Sequence, residues 1–326
     1  MKKRVFMGVL LTMALLCAGC GKNAGTASKE KENEQAIVNR DATEWDMHTA
    51  DETVNIPGLK RTYHFLFLTD MHMVVPDEED SHQVESYADL RYDEFKNEED
   101  VASSEQFGAW VEYANSGQVD AFLLGGDIID YPSDANVEHL ETNLEKLNMP
   151  YLYALGNHDW TFPWEYMTRH GEETYLPMLE PYMQSNSAIH RLEFEDLILV
   201  AVDNSANQIA PEALDEYRAI LQEGKPVIVM LHVPVLTQSV LTKAKEAWDS
   251  AVVLGGGNYG GIYPNADSAE FLEMTTSEDS PVVAILAGHV HFYDKDRVNE
   301  KIVQLVGDAG YKGEALLLTV TGGKQE

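Results

Sequence analysis

The sequence predicts a single α/β domain of about 260 residues. Short apolar runs that suit strands alternate with stretches whose apolar residues recur every three or four positions. The strand-like runs continue to Val320, so the end of the chain belongs to the same fold. Five of the runs end in a cluster of Asp, His, Asn and Gly, which is where open α/β sheets place their ligands.

The elements follow in order. Tyr63–Thr69, Ala121–Leu124 and Tyr151–Leu155 read as strands. Phe107, Trp110 and Val111 predict a short helix before the second, with Ser103-x-x-Gln106 as its capping box. Val137, Leu140, Leu144 and Leu147 predict a helix before the third. Ile189–Phe194 and Leu197–Val202 form a hairpin turning at Glu195-Asp196. A helix carrying Leu214, Tyr217 and Leu221 leads into the strand Val227–Leu231, and Val282–Ala287, Ile302–Val306 and Leu316–Val320 complete the strands. Two stretches break the rhythm: the acidic segment Val74–Asp100 and the glycine-rich Gly255–Gly261, which follows a short helical segment. Each is read either as a pocket wall or as a solvated loop. The glycine run lacks a following Gly-Lys-Ser/Thr and is not a P-loop.

The chain has 326 residues, 44% of them hydrophobic, and a formal net charge of −32. That apolar content excludes a disordered acidic chain, and the charge disfavours nucleic-acid polymers and anionic membranes, which need a basic surface. The N-terminus reads as an address. Lys2, Lys3 and Arg4 precede an apolar run from Val5 to Cys17, too short to span a bilayer but suited to a secretory leader. Leu16-Cys17-Ala18-Gly19-Cys20 resembles a bacterial lipobox, with Cys17 where such boxes usually carry Leu. The expected organisation is a lipoprotein signal peptide over 1–19, a lipidated Cys20, a flexible tether over 20–58 and a domain over 59–322. The protein is therefore expected outside the cytoplasm, held to the membrane by its lipid.

The strand-end clusters are Asp70-x-His72, Gly126-Asp127, Gly156-Asn157-His158-Asp159, His232 and Gly288-His289-x-His291. Carboxylate, imidazole and amide oxygen together suit borderline divalent metals, and seven such ligands are too many for one tetrahedral ion. Two ions sharing a bridging carboxylate use them economically, and the glycines let the backbone turn sharply at each strand end.

This ordered series resembles the calcineurin-like metallophosphoesterase family over about residues 60–293. The resemblance implies a four-layer α/β/β/α sandwich of two mixed β-sheets flanked by helices. It also implies that Asp70, His72 and His291 hold one metal, that Asp127 bridges, and that Asn157, His232 and His289 hold the second. His158 is implied as the group that protonates or hydrogen-bonds the leaving oxygen, oriented by Asp130, while Asp159 completes the motif in a structural role. Two such ions, of Mn, Fe or Zn, share a water and lower its pKa from 15.7 toward about 7, making a hydroxide that attacks phosphorus.

Branch markers narrow the reading. Purple acid phosphatases carry a metal-ligating Tyr where this chain has Asp130, and Ser/Thr protein phosphatases carry Arg where it has Tyr131. The expected activity is metal-dependent hydrolysis of a small phosphomonoester or phosphodiester. The alternative is a catalytically silent surface lipoprotein of the same fold that binds a ligand or partner. Trp160, Phe162 and Trp164 follow the Gly-Asn-His-Asp motif and are read either as core or as a stacking surface for an aromatic leaving group. Asn258, Tyr259 and Tyr263 are candidate rim residues.

Overall fold

The computed structural model describes residues 45–78, 82–161, 167–250 and 252–323. The expected leader, Cys20, the tether as far as residue 44, Phe162 and Trp164 lie outside the described residues.

Among the described residues, the strands in chain order are β1 (His48–Asn55), β2 (Tyr63–Leu68), β3 (Ala121–Leu124), β4 (Tyr151–Tyr153), β5 (Ile189–Glu193), β6 (Ile198–Val202), β7 (Val227–Met230), β8 (Val282–Ala287), β9 (Asp294–Arg297), β10 (Val303–Val306) and β11 (Glu314–Thr321). The α-helices are α1 (His82–Glu94), α2 (Ser103–Ser116), α3 (Asp134–Leu144), α4 (Asn157–Trp160), α5 (Arg169–Leu179), α6 (Leu214–Leu221), α7 (Gln238–Trp248) and α8 (Ala266–Thr276). One sheet runs β1-β11-β2-β3-β4 and the other β5-β6-β7-β8-β10-β9.

Strand side chains alternate between faces, so a strand buried on both sides feeds two cores. Phe65 and Phe67 of β2 pack between the sheets, while Leu66 and Leu68 join Phe107, Trp110 and Leu140 of the helices outside. In β7, Ile228 and Met230 face the first sheet, while Val227 and Val229 pack with Tyr217 of α6 and Phe271 of α8. The layers are therefore helix, sheet, sheet, helix, the α/β/β/α sandwich that the resemblance implies. β2, β3 and β4 run parallel, as do β6, β7 and β8. Parallel neighbours bring their carboxyl ends to one edge, and the polar clusters follow those ends.

Several expectations need correction. The tether does not extend to residue 58, because β1 pairs in parallel with β11 from His48↔Glu314 to Asn55↔Thr321. Its sequence, HTADETVN, buries only Val54, so nothing in its apolar pattern marks a strand; backbone pairing makes it one. β9, with the sequence DKDR, escapes notice for the same reason. The acidic segment is not wholly loop, since α1 occupies much of it. The capping box at Ser103 does not form, because the helix begins at Ser103 itself and the Ser103 hydroxyl donates to the carbonyl of His72 (3.0 Å). Among the described residues no helix is long and apolar enough to cross a membrane.

If β1 belongs to the domain, a chain beginning at Pro57 will melt lower than one beginning at Trp45. Loss of the strand with buried Val54 and Ile56 should cost about 3 kcal/mol, or roughly 5–10 °C in Tm. Equal melting temperatures by differential scanning calorimetry would remove β1 from the folded unit.

Candidate metal centre

The clusters at the ends of β2, β3, β4, β7 and β8 meet in one place. Three groups of donor atoms each lie within 4.8 Å of one another: Asp70, His72 and His291; Asp127, His232 and His289; and His72, Asp130 and His158. Asp127 joins the first two, since its Oδ2 lies 3.1 Å from His232 Nε2 and 3.8 Å from His72 Nε2.

Backbone bonds explain how the loops after the strands come so close. The parallel ladder continues past the strand ends, with Asp70 N–H donating to Gly126 O (2.9 Å) and His72 N–H to Asp127 O (2.9 Å). On the other sheet, Gly288 N–H donates to His232 O (2.9 Å). Five of the polar residues then turn through the left-handed region: Asp70 (φ 52°), His72 (46°), Asp127 (51°), His289 (72°) and His291 (55°). Such backbone costs about 1–3 kcal/mol for a residue with a side chain and persists only where surrounding structure over-determines it. Glycine is required where the loops touch. A Cβ on Gly156 would lie 2.1 Å from Asp127 N, and one on Gly288 would lie 2.0 Å from Thr69 Oγ1.

Asp159 ties the loops together. Its two buried oxygens accept from the N–H groups of Gly156 (2.8 Å), Asp127 (3.0 Å), Ile128 (2.8 Å) and Ile129 (3.1 Å), and from Tyr153 Oη (2.9 Å). Burial and the nearby Asp127 charge push its pKa up to about 7 against those donors.

Hydrogen bonds also settle which ring nitrogen faces the centre. His232 Nδ1 donates to Gly125 O (2.9 Å) and His72 Nδ1 to Asp130 Oδ1 (3.0 Å), leaving each Nε2 toward the cluster. There His72 Nε2 lies 3.1 Å from His291 Nε2, and His232 Nε2 lies 3.3 Å from His289 Nδ1. Atoms with lone pairs in such contact need a proton or a cation among them. The electrostatics point the same way. Burial holds His72 down to about 4 and His289 down to about 3. Burial also opposes charge on His232, yet Asp127 outweighs it and pushes that ring up to about 10, so the site strongly favours positive charge. Asn157 Oδ1 is buried with no hydrogen-bond partner, and an amide oxygen cannot satisfy itself by taking up a proton. The residues present fit metal ions, and the paired clusters are consistent with a binuclear site.

His158 stands at the edge of the cluster. Its Nδ1 lies 3.0 Å from both the carbonyl and Oδ1 of Asp130, and its backbone N–H donates to Asp127 Oδ1 (2.7 Å). Burial opposes its charged form, but Asp127 and Asp130 outweigh that and push the imidazole up to about 9.

Sequence reading missed Arg91, which lies on α1 within the acidic segment. It donates through Nε and Nη2 to the two oxygens of Asp130, both at 2.7 Å. Burial opposes ionisation of Asp130, and Arg91 outweighs it, holding the carboxyl well below its usual range. Phe95, one turn further on, stacks on His72 at 4.4 Å and 7°. The spacing of Arg91 and Phe95 by four was the only available signal.

The centre opens into a cavity of 490 Å³ whose wall includes Phe95, Trp248, Val252 and Tyr311. Among the described residues, the aromatics singled out in the sequence, Trp160, Tyr259 and Tyr263, are elsewhere. Trp160 is core, 2% exposed, with its indole N–H donating to Ser205 Oγ (2.8 Å). Tyr259 and Tyr263 are exposed, and neither they nor Asn258 line this cavity.

Fold and site together define a metallophosphoesterase. The chain belongs to the calcineurin-like phosphoesterase family, whose profile matches residues 63–293. Among solved structures it is similar to a purple acid phosphatase from yellow lupin (Lupinus luteus) seeds, with 13% identity and a TM-score of 0.50, covering 80% of this chain and 45% of that one. It is also similar to a dimetal phosphatase from Danio rerio, at 12% identity and a TM-score of 0.49, covering 78% and 89% respectively. No curated protein sequence matches the chain significantly.

The Asp159 network predicts a stability effect. Asp159→Asn turns an amide N–H₂ toward existing donors and strands two of them, which should cost about 2–4 kcal/mol in urea unfolding. A loss below about 0.5 kcal/mol would deny Asp159 the role of loop anchor.

Proposed function

We propose that the chain is a dinuclear-metal-dependent phosphoester hydrolase, a phosphatase or phosphodiesterase acting on a small substrate outside the cytoplasm. The observation that carries this reading is the position of Asp127 between two sets of inward-facing donors. In this reading Asp70, His72 and His291 would hold one ion and Asn157, His232 and His289 the other, with Asp127 shared between the two sets. Divalent ions so held would supply Lewis acidity, lowering the pKa of bound water and drawing charge from the phosphoryl oxygens.

The protein's own groups do the rest. With Nδ1 committed to Asp130, the His158 ring is left with Nε2 as the atom that would donate a proton to the leaving oxygen. Asp130 fixes both the His158 ring and the His72 ring, and Arg91 keeps Asp130 ionised while it does so. Thr69 Oγ1 (2.7 Å) and the N–H of His289 (2.9 Å) donate to Asp70 Oδ2, fixing that carboxylate before any ligand arrives. The formal charge of −32 disfavours polyanionic substrates and leaves small phosphoesters, held mainly by the metals. Action outside the cytoplasm is supported by the leader and by Cys20 within its lipobox-like sequence.

Chelation should abolish hydrolysis and added Mn, Fe or Zn should restore it; Asp127→Asn should be inactive and bind fewer ions by metal analysis. Near-normal turnover in that variant would sink the two-metal scheme, and two bound metals without hydrolysis of any phosphoester would favour the silent binding protein.

His158→Ala should lower kcat on alkyl phosphates by about 10²–10⁴-fold and on nitrophenyl phosphate by much less, because the better leaving group needs no proton. Equal losses on both would remove the general-acid role. Cys20→Ala should shift the protein from the membrane pellet to the soluble fraction, and an unchanged partition would rule out lipid anchoring through that residue.

A further inference from the structure

We propose that Trp248 is a stacking platform for a planar ring in the leaving group, so that the substrate is a phosphoester of an aryl alcohol or a nucleoside. The inference rests on the phosphoesterase reading above and narrows its substrate.

Trp248 closes α7 and leaves its side chain 47% exposed, an unusual state for the residue with the largest apolar surface. The exposure is not looseness. The indole N–H donates to Val290 O (2.9 Å), and the ring meets His291 edge to face, with centroids 5.4 Å apart and planes at 88°. The ring is thus anchored at its polar edge and braced against an imidazole of the metal cluster. It lines the same cavity as the candidate ligands, so a flat group beside it shares that space with a phosphoryl group held at the centre.

The rest of the wall suits such a group. Val252 and Tyr311 are apolar or aromatic, and Tyr311 itself packs against the His291 ring at 5.7 Å. Arg91 is the only cationic residue of Lys or Arg type in the described lining, and it is bound to Asp130 and to Glu94, whose carboxylate also borders the cavity. A substrate with several phosphates would meet that carboxylate without a lysine or second arginine to balance it. A single phosphoester on the metals with a ring against Trp248 uses the site's charge and its apolar wall together. Aromatic stacking is worth about a ten-fold change in binding or rate.

The test compares phenyl phosphate and a nucleoside 5′-monophosphate with ethyl phosphate, using the metal-loaded protein and its Trp248→Ala and Trp248→Phe variants. The ratio of kcat/KM for each ring substrate to that for ethyl phosphate is compared between variant and unaltered protein, which cancels intrinsic differences in leaving group. The expected result is a fall of about ten-fold in at least one ratio in Trp248→Ala and recovery of most of it in Trp248→Phe. The substrate whose ratio falls further identifies the ring, an aryl group on the ester oxygen or a base one sugar away. Titration calorimetry with phenylphosphonate and methylphosphonate, which cannot be hydrolysed, provides a readout independent of turnover; Trp248→Ala should narrow the affinity gap between them. Ratios and gap unchanged in Trp248→Ala, or all substrates slowed equally, would overturn the platform while leaving the phosphoesterase reading intact. Failure of the unaltered metal-loaded protein to hydrolyse any ester or bind either phosphonate would overturn both.

Discussion

Lone pairs facing one another in a dry place are the constraint on which this structure turns. His72 Nε2 and His291 Nε2 stand 3.1 Å apart beside two carboxylates, with His72, Asp70 and Asp127 all buried. Taking two carboxylates out of water costs several kcal/mol for each one, and crowding imidazole lone pairs around them adds repulsion unless positive charge intervenes. A fold that holds this arrangement must oppose that cost with bonds made elsewhere.

Those bonds are local and backbone-rich. The parallel ladder runs on beyond the strands, Asp159 gathers five donors, and Asn204 Oδ1 accepts from the N–H groups of both His232 and Val233 at 3.0 Å. These anchors let five Asp and His residues remain in left-handed backbone without relaxing. The candidate ligands' directions are therefore held by the scaffold's own bonds, which is the economy a preorganised centre needs.

Much of this was legible in the chain. Each candidate ligand follows an apolar run that is a strand, and strand ends in an α/β sheet are where side chains leave the ladder and face a common edge. The glycines beside them signalled close approach, and the structure explains it: Gly156 and Gly288 leave no room for a Cβ. The position of Asp127 between the two donor sets was expected only from resemblance, because distance between chain-remote atoms leaves no trace in composition. β1 and Arg91 were invisible for related reasons. A strand held by backbone pairing need not alternate, and a half-buried arginine in an acidic segment looks like any solvated charge until Asp130 is brought to it.

The aromatic residues divide what sequence determines from what packing decides. Residue chemistry, order and spacing along the chain determined the alternation of strands and helices and the strand-end donor set, because those depend on local periodicity and on which atoms can donate, and through the resemblance of that set to a family they implied the four layers. They did not determine which ring meets the substrate. Trp160 lies two residues from His158 in sequence, yet it turns inward to Ser205, whereas Trp248 comes from a distant helix to stand beside His291. Covalent proximity does not fix the direction of a side chain. Only the docking of α7 against the loop after β8 brought that indole to the mouth of the centre.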